Sequence, residues 1–315
     1  MFGYVIRRIG LGIPTIWLVA TILFLLVRMI PGDTVDLMMD EQTSYAGSVD
    51  ELRERLGLSD PLIVQYGSYM AGLARGDLGR SLFNNVPVRD EIASRAPVTL
   101  QLAFMMLVIA STIALPVGII AATKQDTAID YGLRSASFLL LAIPNFFLGT
   151  LVILYGSVLF GLIPPVSYVS PLEDPWSNFV QFMIPAVIFG SSLAASQMRM
   201  TRTMLLETLR TDYVRTAMAK GLRYRRVVMK HALRNALLPV ITIIGLQTAG
   251  ALGGTVIAEQ IFNLPGLGRL TVNAVRLRDY PVLQGVNLLF AVTIVGVNII
   301  IDVTYAYLDP QIRYR

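Results

Sequence analysis

Long runs of apolar residues, separated by polar connections, recur along the whole chain. A helix needs about 20 such residues to cross roughly 30 Å of hydrocarbon at about 1.5 Å per residue. Six runs reach this length, and none alternates at every second residue as a membrane β-barrel strand does. The pattern therefore predicts an all-α integral membrane protein with six transmembrane helices. These lie at 9–27, 98–122, 136–160, 179–198, 238–258 and 284–307.

The same pattern divides the chain into a tail, an anchor, one long connection and a core. Residues 1–8 form the N-terminal tail, and 9–27 is an apolar run too long for a cleaved signal peptide. Residues 28–97 form an extracytoplasmic segment, and 98–315 form a five-helix core that includes the connection 199–237. The first helix is therefore predicted to stay in place as a membrane anchor.

Part of the 28–97 segment has the signals of a helix. Asp60-Pro61 form a cap and first-turn pair, apolar residues follow at helical spacing, and Gly76 can end the helix in a left-handed conformation. Two roles stay open for this helix, which are packing on the membrane domain and docking of an external partner.

The basic residues indicate the orientation. Of the 26 Lys and Arg residues, 16 lie in the N-terminal tail, in the connections 123–135 and 199–237, and in the C-terminal tail. The positive-inside rule therefore places both termini and the connection 199–237 in the cytoplasm. Topology thus accounts for the net charge of +5 without a nucleic-acid partner. Because only 15% of residues are charged, against about 25% in soluble domains, the composition also argues against a soluble enzyme.

The connection 199–237 is far longer than two neighbouring helices require. It contains two helix-like stretches, 200–219 and 223–236, which are interrupted at Lys220-Gly221. Glycine adopts the left-handed conformation at little cost, so Gly221 is predicted to redirect the chain between them. A protein that binds such a helix can move the spans on both sides of it. The alternative is an amphipathic helix lying on the anionic inner leaflet.

Several stretches together carry a family resemblance. The run Asp212–Gly221 followed by His231–Pro239 resembles the cytoplasmic "EAA" loop of ATP-binding-cassette (ABC) importer permeases, and more narrowly the B-type subunit of the peptide/nickel branch. Arg215 stands where the general pattern has Glu, and His231-Ala232-Leu233-Arg234 replaces Ile-x-Leu-Pro. Further stretches similar to that branch are Ile30-Pro31-Gly32-Asp33, Gly76-Asp77-Leu78-Gly79-Arg80-Ser81, Ile143-Pro144-Asn145-Phe146, Phe262–Arg269 and Leu308-Asp309-Pro310-Gln311-Ile312-Arg313.

The resemblance implies a type I ABC importer permease fold in a prokaryotic cytoplasmic (inner) membrane. It implies a second, homologous permease as heterodimer partner, two cytoplasmic ABC ATPases that use ATP and Mg, and an extracytoplasmic solute-binding protein, with membrane lipid around the helices. The path formed with the second permease would carry peptides or a related small solute. The residues that would form the ATPase-coupling loop are Arg215, Thr216, Ala217, Lys220, Gly221, Leu222, Arg223, Tyr224, Arg225 and Arg226.

The chain lacks the chemistry for ATP hydrolysis. No Gly-x-x-x-x-Gly-Lys-Ser/Thr sequence occurs, so the chain is predicted not to be an enzyme and to leave hydrolysis to its partners. With no cysteine and His231 as the single histidine, a multi-ligand metal site is not expected. Two other classes stay open: an ion-coupled secondary transporter, which would need Asp302, and an intramembrane enzyme, which would need His231.

Polar residues within the spans are sparse, which favours a passive path over ion-coupled transport. Gly250 and Gly254 have the spacing of close helix packing, either within this subunit or at a subunit interface. The cargo stays open among dipeptides, oligopeptides, glutathione, nickel chelates and oligosaccharides. The candidate path-lining residues are Ser192, Ser196, Gln247, Thr248 and Asn298.

Overall fold

The computed structural model describes residues 2–29, 53–54, 59–161 and 168–308, and these residues are almost wholly helical. The stretch Ile30-Pro31-Gly32-Asp33 and all but the first residue of Leu308–Arg313 lie outside the described residues. The helices are α1 (Phe2–Arg28), α2 (Leu62–Ala74), α3 (Val88–Thr123), α4 (Ala128–Ala142), α5 (Asn145–Phe160), α6 (Pro175–Leu209), α7 (Asp212–Ala219), α8 (Tyr224–Ile261), α9 (Leu267–Arg276) and α10 (Tyr280–Leu308).

Within the described residues, five helices are long and apolar enough to cross a membrane, namely α1, α3, α6, α8 and α10. The prediction of one continuous helix at 136–160 is wrong, because α4 and α5 meet there at an angle of 89°. Pro144 explains the break, since the residue before a proline is driven out of the helical region. Ile143 accordingly has an extended backbone, with φ −91° and ψ 122°. Counting this bent pair as one span gives six.

The chain divides into two compact units. The first comprises Met1–Val5, Leu100–Leu264 and Val297–Arg315. Within it, α6 packs along α8 and also contacts α4 and α5. Helices α3 and α6 come very close, because a Cβ added at Gly190 would lie 2.9 Å from the carbonyl oxygen of Met106. The first unit is therefore centred on α6.

The second unit comprises Ile6–Thr99 and Pro265–Gly296. Its core joins the first turns of α3 to α9 and to the first half of α10. The carboxylate of Asp279 accepts hydrogen bonds from the Ser81 hydroxyl and from the Leu82 amide, the latter at 3.2 Å. Helix α2 begins after Pro61, which occupies the N-cap position, and Gly76 beyond its end has φ +75° as predicted.

Asp174 caps α6. Its carboxylate accepts hydrogen bonds from the Ser177 hydroxyl at 2.6 Å and from the Ser177 and Trp176 amides at 3.1 Å. These bonds, led by the one from the Ser177 side chain, hold the pKa of Asp174 below its ordinary value. The capped form is therefore the ionised one.

Candidate functional site

The connection between α6 and α8 contains a short, separate helix. The predicted stretch 200–219 is not continuous, because α6 ends at Leu209 and the chain turns at Arg210-Thr211 before α7 begins. After α7, Gly221 has φ +79°, the left-handed conformation predicted for it. The second predicted stretch forms the first turns of α8, and Pro239 lies inside the same helix. The site is thus an eight-residue helix between two long ones.

One face of α7 is fixed to its neighbours. Val214 and Ala217 are buried in an apolar cluster with Leu205 from α6 and with Val227 and Ala232 from the first turns of α8. Buried apolar contacts of this kind pack as tightly as the rest of a protein interior. A displacement of α7 therefore pushes directly on the ends of α6 and α8.

A polar contact ties the same elements together. The Asn235 side-chain amide donates to the Tyr213 hydroxyl oxygen at 2.8 Å, and that hydroxyl lies 3.4 Å from the carbonyl oxygen of His231. The segment Val227–Ala232 is wound as a π-helix, a form frequent at functional sites. Neither Tyr213 nor Asn235 was selected from the sequence, which holds no pairing signal for residues 22 positions apart.

The ten predicted coupling residues divide into an inner and an outer group. Ala217 is buried and Leu222 is half-buried, and both pack in or against the apolar cluster. The other eight are exposed and most are basic, so they form an open, positively charged surface around α7 and the start of α8. These eight are Arg215, Thr216, Lys220, Gly221, Arg223, Tyr224, Arg225 and Arg226.

A buried ion pair joins α4 to α6. Arg202 donates from Nε to Oδ1 of Asp130 at 2.7 Å and from Nη2 to Oδ2 at 2.6 Å. The Asp130 side chain is 0% exposed and that of Arg202 is 15% exposed. The Asp126 amide also donates to Asp130, at 3.1 Å. Because Arg202 lies on the last turns of α6, this pair connects the helix that leads to α7 with the bent pair α4–α5.

A second polar connection crosses the middle of the first unit. The Gln197 amide donates to Oε1 of Gln247 at 2.7 Å, and Gln247 donates to the Leu193 carbonyl oxygen at 3.3 Å. At the bend, the Asn145 amide donates to the Ser192 hydroxyl at 2.9 Å. Such bonds replace the water that hydrocarbon cannot supply. These side chains therefore hold α6 to α8 and to α5.

The candidate path-lining residues have different surroundings. Ser192 and Gln247 are half-buried in the contacts just described, and Ser196 and Thr248 are also half-buried. Thr248 donates back to the Ile244 carbonyl oxygen at 3.5 Å. Asn298 is exposed. Lining of a path by these five residues stays a prediction.

The two glycines selected for close packing differ from each other. A Cβ added at Gly250 would meet nothing within 4 Å, and one at Gly254 would lie 3.8 Å from Phe189 Cδ1. Tight packing within the chain occurs instead at glycines that the spacing rule did not select. A Cβ at Gly118 would lie 2.9 Å from the Met198 carbonyl oxygen, and one at Gly245 would overlap the Ile301 side chain.

Comparison with known proteins gives matches along the whole chain. Residues 114–314 match the family described as binding-protein-dependent transport system inner membrane component, and residues 1–103 match the N-terminal part described for such membrane components. The oligopeptide transport system permease protein AppB of Bacillus subtilis is 40% identical over 318 residues, covering all of both chains.

Two further relatives match as completely. The glutathione transport system permease protein GsiC of Escherichia coli is 40% identical over 315 residues, and the di/tripeptide transport system permease protein DppB of Pseudomonas aeruginosa is 39% identical over 335 residues. Both alignments cover the full length of both chains. Among solved structures, an inward-facing MetNI methionine ABC transporter matches with a TM-score of 0.57 and 18% identity. That match covers 70% of this chain and 96% of the other, and it shows a shared fold.

Proposed function

We propose peptides or a closely related small solute as the cargo of this chain. The chain belongs to the family of binding-protein-dependent transport system inner membrane components and is a permease subunit of an ABC importer. The observation that carries the cargo is the full-length identity of 39–40% to relatives named for oligopeptides, glutathione and di/tripeptides. All three names denote short peptides, so the relatives favour that class over nickel chelates or oligosaccharides.

We further propose that the importer contains two cytoplasmic ABC ATPases and that one of them docks on α7 of this chain. Its outer face is exposed and adjoins the basic turn and the basic first turn of α8, while its inner face is packed against the ends of α6 and α8. A surface that is accessible on one side and rigidly seated on the other suits the transmission of force. This assignment places the connection 199–237 and both termini in the cytoplasm, in a multi-pass protein of a prokaryotic inner membrane.

Movement of α7 has two routes into the membrane. The apolar cluster around Val214 and Ala217 carries it into α6 and α8, and the Asp130–Arg202 pair carries it from α6 into the bent pair α4–α5. Binding of ATP with Mg by the partner ATPases would turn the path outward, and hydrolysis would turn it inward. The permease itself would form the path and transmit the movement, and the partner ATPases would carry out the hydrolysis.

The second half of the path is assigned to a homologous permease. Gly250 supports this assignment, because its exposed position on α8 leaves room for a close approach by another helix. An extracytoplasmic solute-binding protein would deliver the cargo at the opposite membrane face. The path would then lie between the two permeases, with Ser192, Ser196, Gln247, Thr248 and Asn298 as candidates for its polar lining.

The first experiment is co-expression of the tagged chain with the genes encoding its neighbouring subunits, purification in mild detergent and reconstitution. We expect a second permease and two ATPases to co-purify, and vanadate-sensitive hydrolysis to rise when binding protein loaded with a short peptide is added. A chain that purifies without ATPases would contradict the assembly. Stimulation by binding protein loaded with a sugar or a nickel chelate, but not with any peptide, would contradict the proposed cargo and leave the proposed assembly intact.

The role of α7 has a separate test. The chain contains no cysteine, so single cysteines are unique labelling sites. Met218→Cys lies on the exposed face of α7, and Lys124→Cys is an exposed control between α3 and α4. We expect the ATPases to protect the first from a soluble maleimide and to leave the second reactive. Equal labelling of Met218→Cys with and without ATPases would contradict docking on α7.

The ion-coupled alternative finds no support among the relatives. It is tested by Asp302→Asn, which we expect to lower assembly of the complex more than it alters the pH dependence of uptake. Uptake that survives vanadate but stops with a protonophore would instead support the ion-coupled carrier.

A further inference from the structure

Helix α2 has an apolar surface that the described part of the chain leaves open. No charged residue occurs between Leu62 and Ala74. The first turn exposes large aliphatic side chains, with Ile63 76% exposed and Leu62 58% exposed. The helix has 13 residues and is therefore about 20 Å long, too short to cross roughly 30 Å of hydrocarbon. Its environment must be decided from its neighbours.

The neighbour of α2 is the membrane-spanning helix α1, and both belong to the second unit. The Tyr66 hydroxyl lies 2.9 Å from the Thr21 hydroxyl oxygen. The ring of Phe24 lies 5.4 Å from the ring of Tyr66 and 5.7 Å from that of Tyr69, measured between centroids. Three contacts along α2 therefore reach side chains within the apolar part of α1.

These contacts set the depth of α2. The span ends at Arg28, so Phe24 lies about 6 Å and Thr21 about 10 Å inward along the helix axis. Half of the hydrocarbon layer is about 15 Å thick, which puts both residues at the level of the acyl chains. The rings of Tyr66 and Tyr69, which contact residues at these levels, therefore lie below the headgroups.

The hydrogen bond between Thr21 and Tyr66 suits an environment without water. Thr21 donates its hydroxyl proton to the Trp17 carbonyl oxygen at 2.9 Å, which leaves its oxygen free to accept from Tyr66. The Thr21 and Tyr66 hydroxyls thus find their partners within the protein, as burial in hydrocarbon requires. The side-chain nitrogen of Gln65 donates to the Asp60 carbonyl oxygen at 2.7 Å, a second hydrogen bond that stays within the protein.

The surface of α1 beside α2 has the composition of a lipid-facing surface. Helix α1 is a membrane span whose apolar residues are mostly unburied, among them Leu18, Leu25 and Leu26. The exposed first turn of α2 lies one helical turn from Tyr66, whose side chain contacts α1. We propose that α2 is embedded in one leaflet of the bilayer, with Leu62, Ile63 and Val64 in contact with lipid acyl chains, so that this surface binds lipid rather than an external protein.

The test uses single cysteines carrying a nitroxide in the assembled importer, reconstituted in vesicles of phosphatidylethanolamine and phosphatidylglycerol. Ile63→Cys is the test site, Leu18→Cys on α1 is the lipid-exposed reference, and Arg89→Cys is the water-exposed reference, since that side chain is 76% exposed. Power saturation compares collisions with oxygen, which enters lipid, and with a water-soluble nickel chelate. Uptake by each variant confirms that it folds.

We expect the nickel collision rate at Ile63 to be at least about tenfold below that at Arg89, because polar solutes are strongly excluded from hydrocarbon. The oxygen collision rate should match that at Leu18. Nickel access equal to that at Arg89 would overturn the proposal in favour of a water-exposed helix. Low collision rates with both reagents would also overturn it, because they would show that a protein surface covers α2. A second site, Val64→Cys, should repeat the result of Ile63→Cys.

Discussion

Removing one partner of the Asp130–Arg202 pair should destabilise the permease strongly. The carboxylate is 0% exposed and accepts two short hydrogen bonds from the guanidinium, so Arg202→Met leaves a buried charge without its counter-charge. Breaking such a pair typically costs about 3–5 kcal/mol. At roughly 2–4 °C per kcal/mol, the apparent melting temperature should fall by about 6 °C or more. Asp130→Asn should show a smaller loss, because the amide keeps one acceptor.

The double variant Asp130→Leu with Arg202→Met separates stability from function. Replacing both charges by apolar side chains is often neutral for stability, so its melting temperature should return close to that of the parent. If the pair transmits movement from α6 to α4, this stable variant should still hydrolyse ATP but import less cargo per ATP.

Both quantities are measurable on one preparation. Thermal stability is followed by fluorescence-detected size exclusion after heating, and coupling by the ratio of uptake to hydrolysis in proteoliposomes. Melting temperatures of the single variants equal to that of the parent would refute the buried pair. A double variant with an unchanged uptake-to-hydrolysis ratio would show that the pair only stabilises the fold.

Three further predictions concern the backbone and a helix cap. Gly221 has φ +79° with open space at its Cβ, so Gly221→Ala should cost about 1–2 kcal/mol of backbone strain and reduce uptake. Gly221→Pro should abolish uptake while the protein stays at its normal level in the membrane. Normal uptake by the proline variant would contradict coupling through this turn. Gly190→Ala should lower the melting temperature, whereas Gly250→Ala should leave the stability of the isolated chain unchanged and reduce co-purification of the second permease. Because the pKa of Asp174 is lowered, its helix cap contributes to stability above about pH 4, and this contribution is lost as the pH falls through the lowered pKa. The difference in melting temperature between the parent and Asp174→Ala should therefore vanish in acid.

Hydropathy predicted the membrane helices well because one apolar run suffices to define a span. The bend at Ile143-Pro144 was missed although a proline stood inside the predicted third helix. Prolines also lie inside α1, α6 and α8, where the helix continues through them. Local sequence therefore does not say which proline breaks a membrane helix. At Pro144 the break is accompanied by the Asn145–Ser192 hydrogen bond, which holds the start of α5 against α6.

The polar side chains show that the sequence alone does not tell which residues of the spans hydrogen-bond to each other. Sparse Ser and Gln residues within spans were interpreted as a path lining, but Ser192 and Gln247 bond to side chains 47 and 50 positions away along the chain. Asp130 and Arg202 are 72 positions apart and were not paired from the sequence at all. In hydrocarbon a polar group must find a partner wherever the fold brings one near, so its presence signals a contact before it signals a function.

The glycines also depend on contacts between residues that are far apart in the sequence. Within the spans the Gly-x-x-x-Gly rule selects only Gly250 and Gly254, whereas Gly118, Gly190 and Gly245, which have an alanine rather than a glycine four residues away, carry close approaches within the described part of the chain. A small residue is required wherever another backbone or side chain comes within reach, whatever its sequence spacing. Among the described residues no heavy atom lies within 4 Å of a Cβ built at Gly250 or at Gly253, so this side of α8 is open to a close approach by a helix of another subunit. This open glycine surface is thus the part of α8 that bears on the proposed second permease.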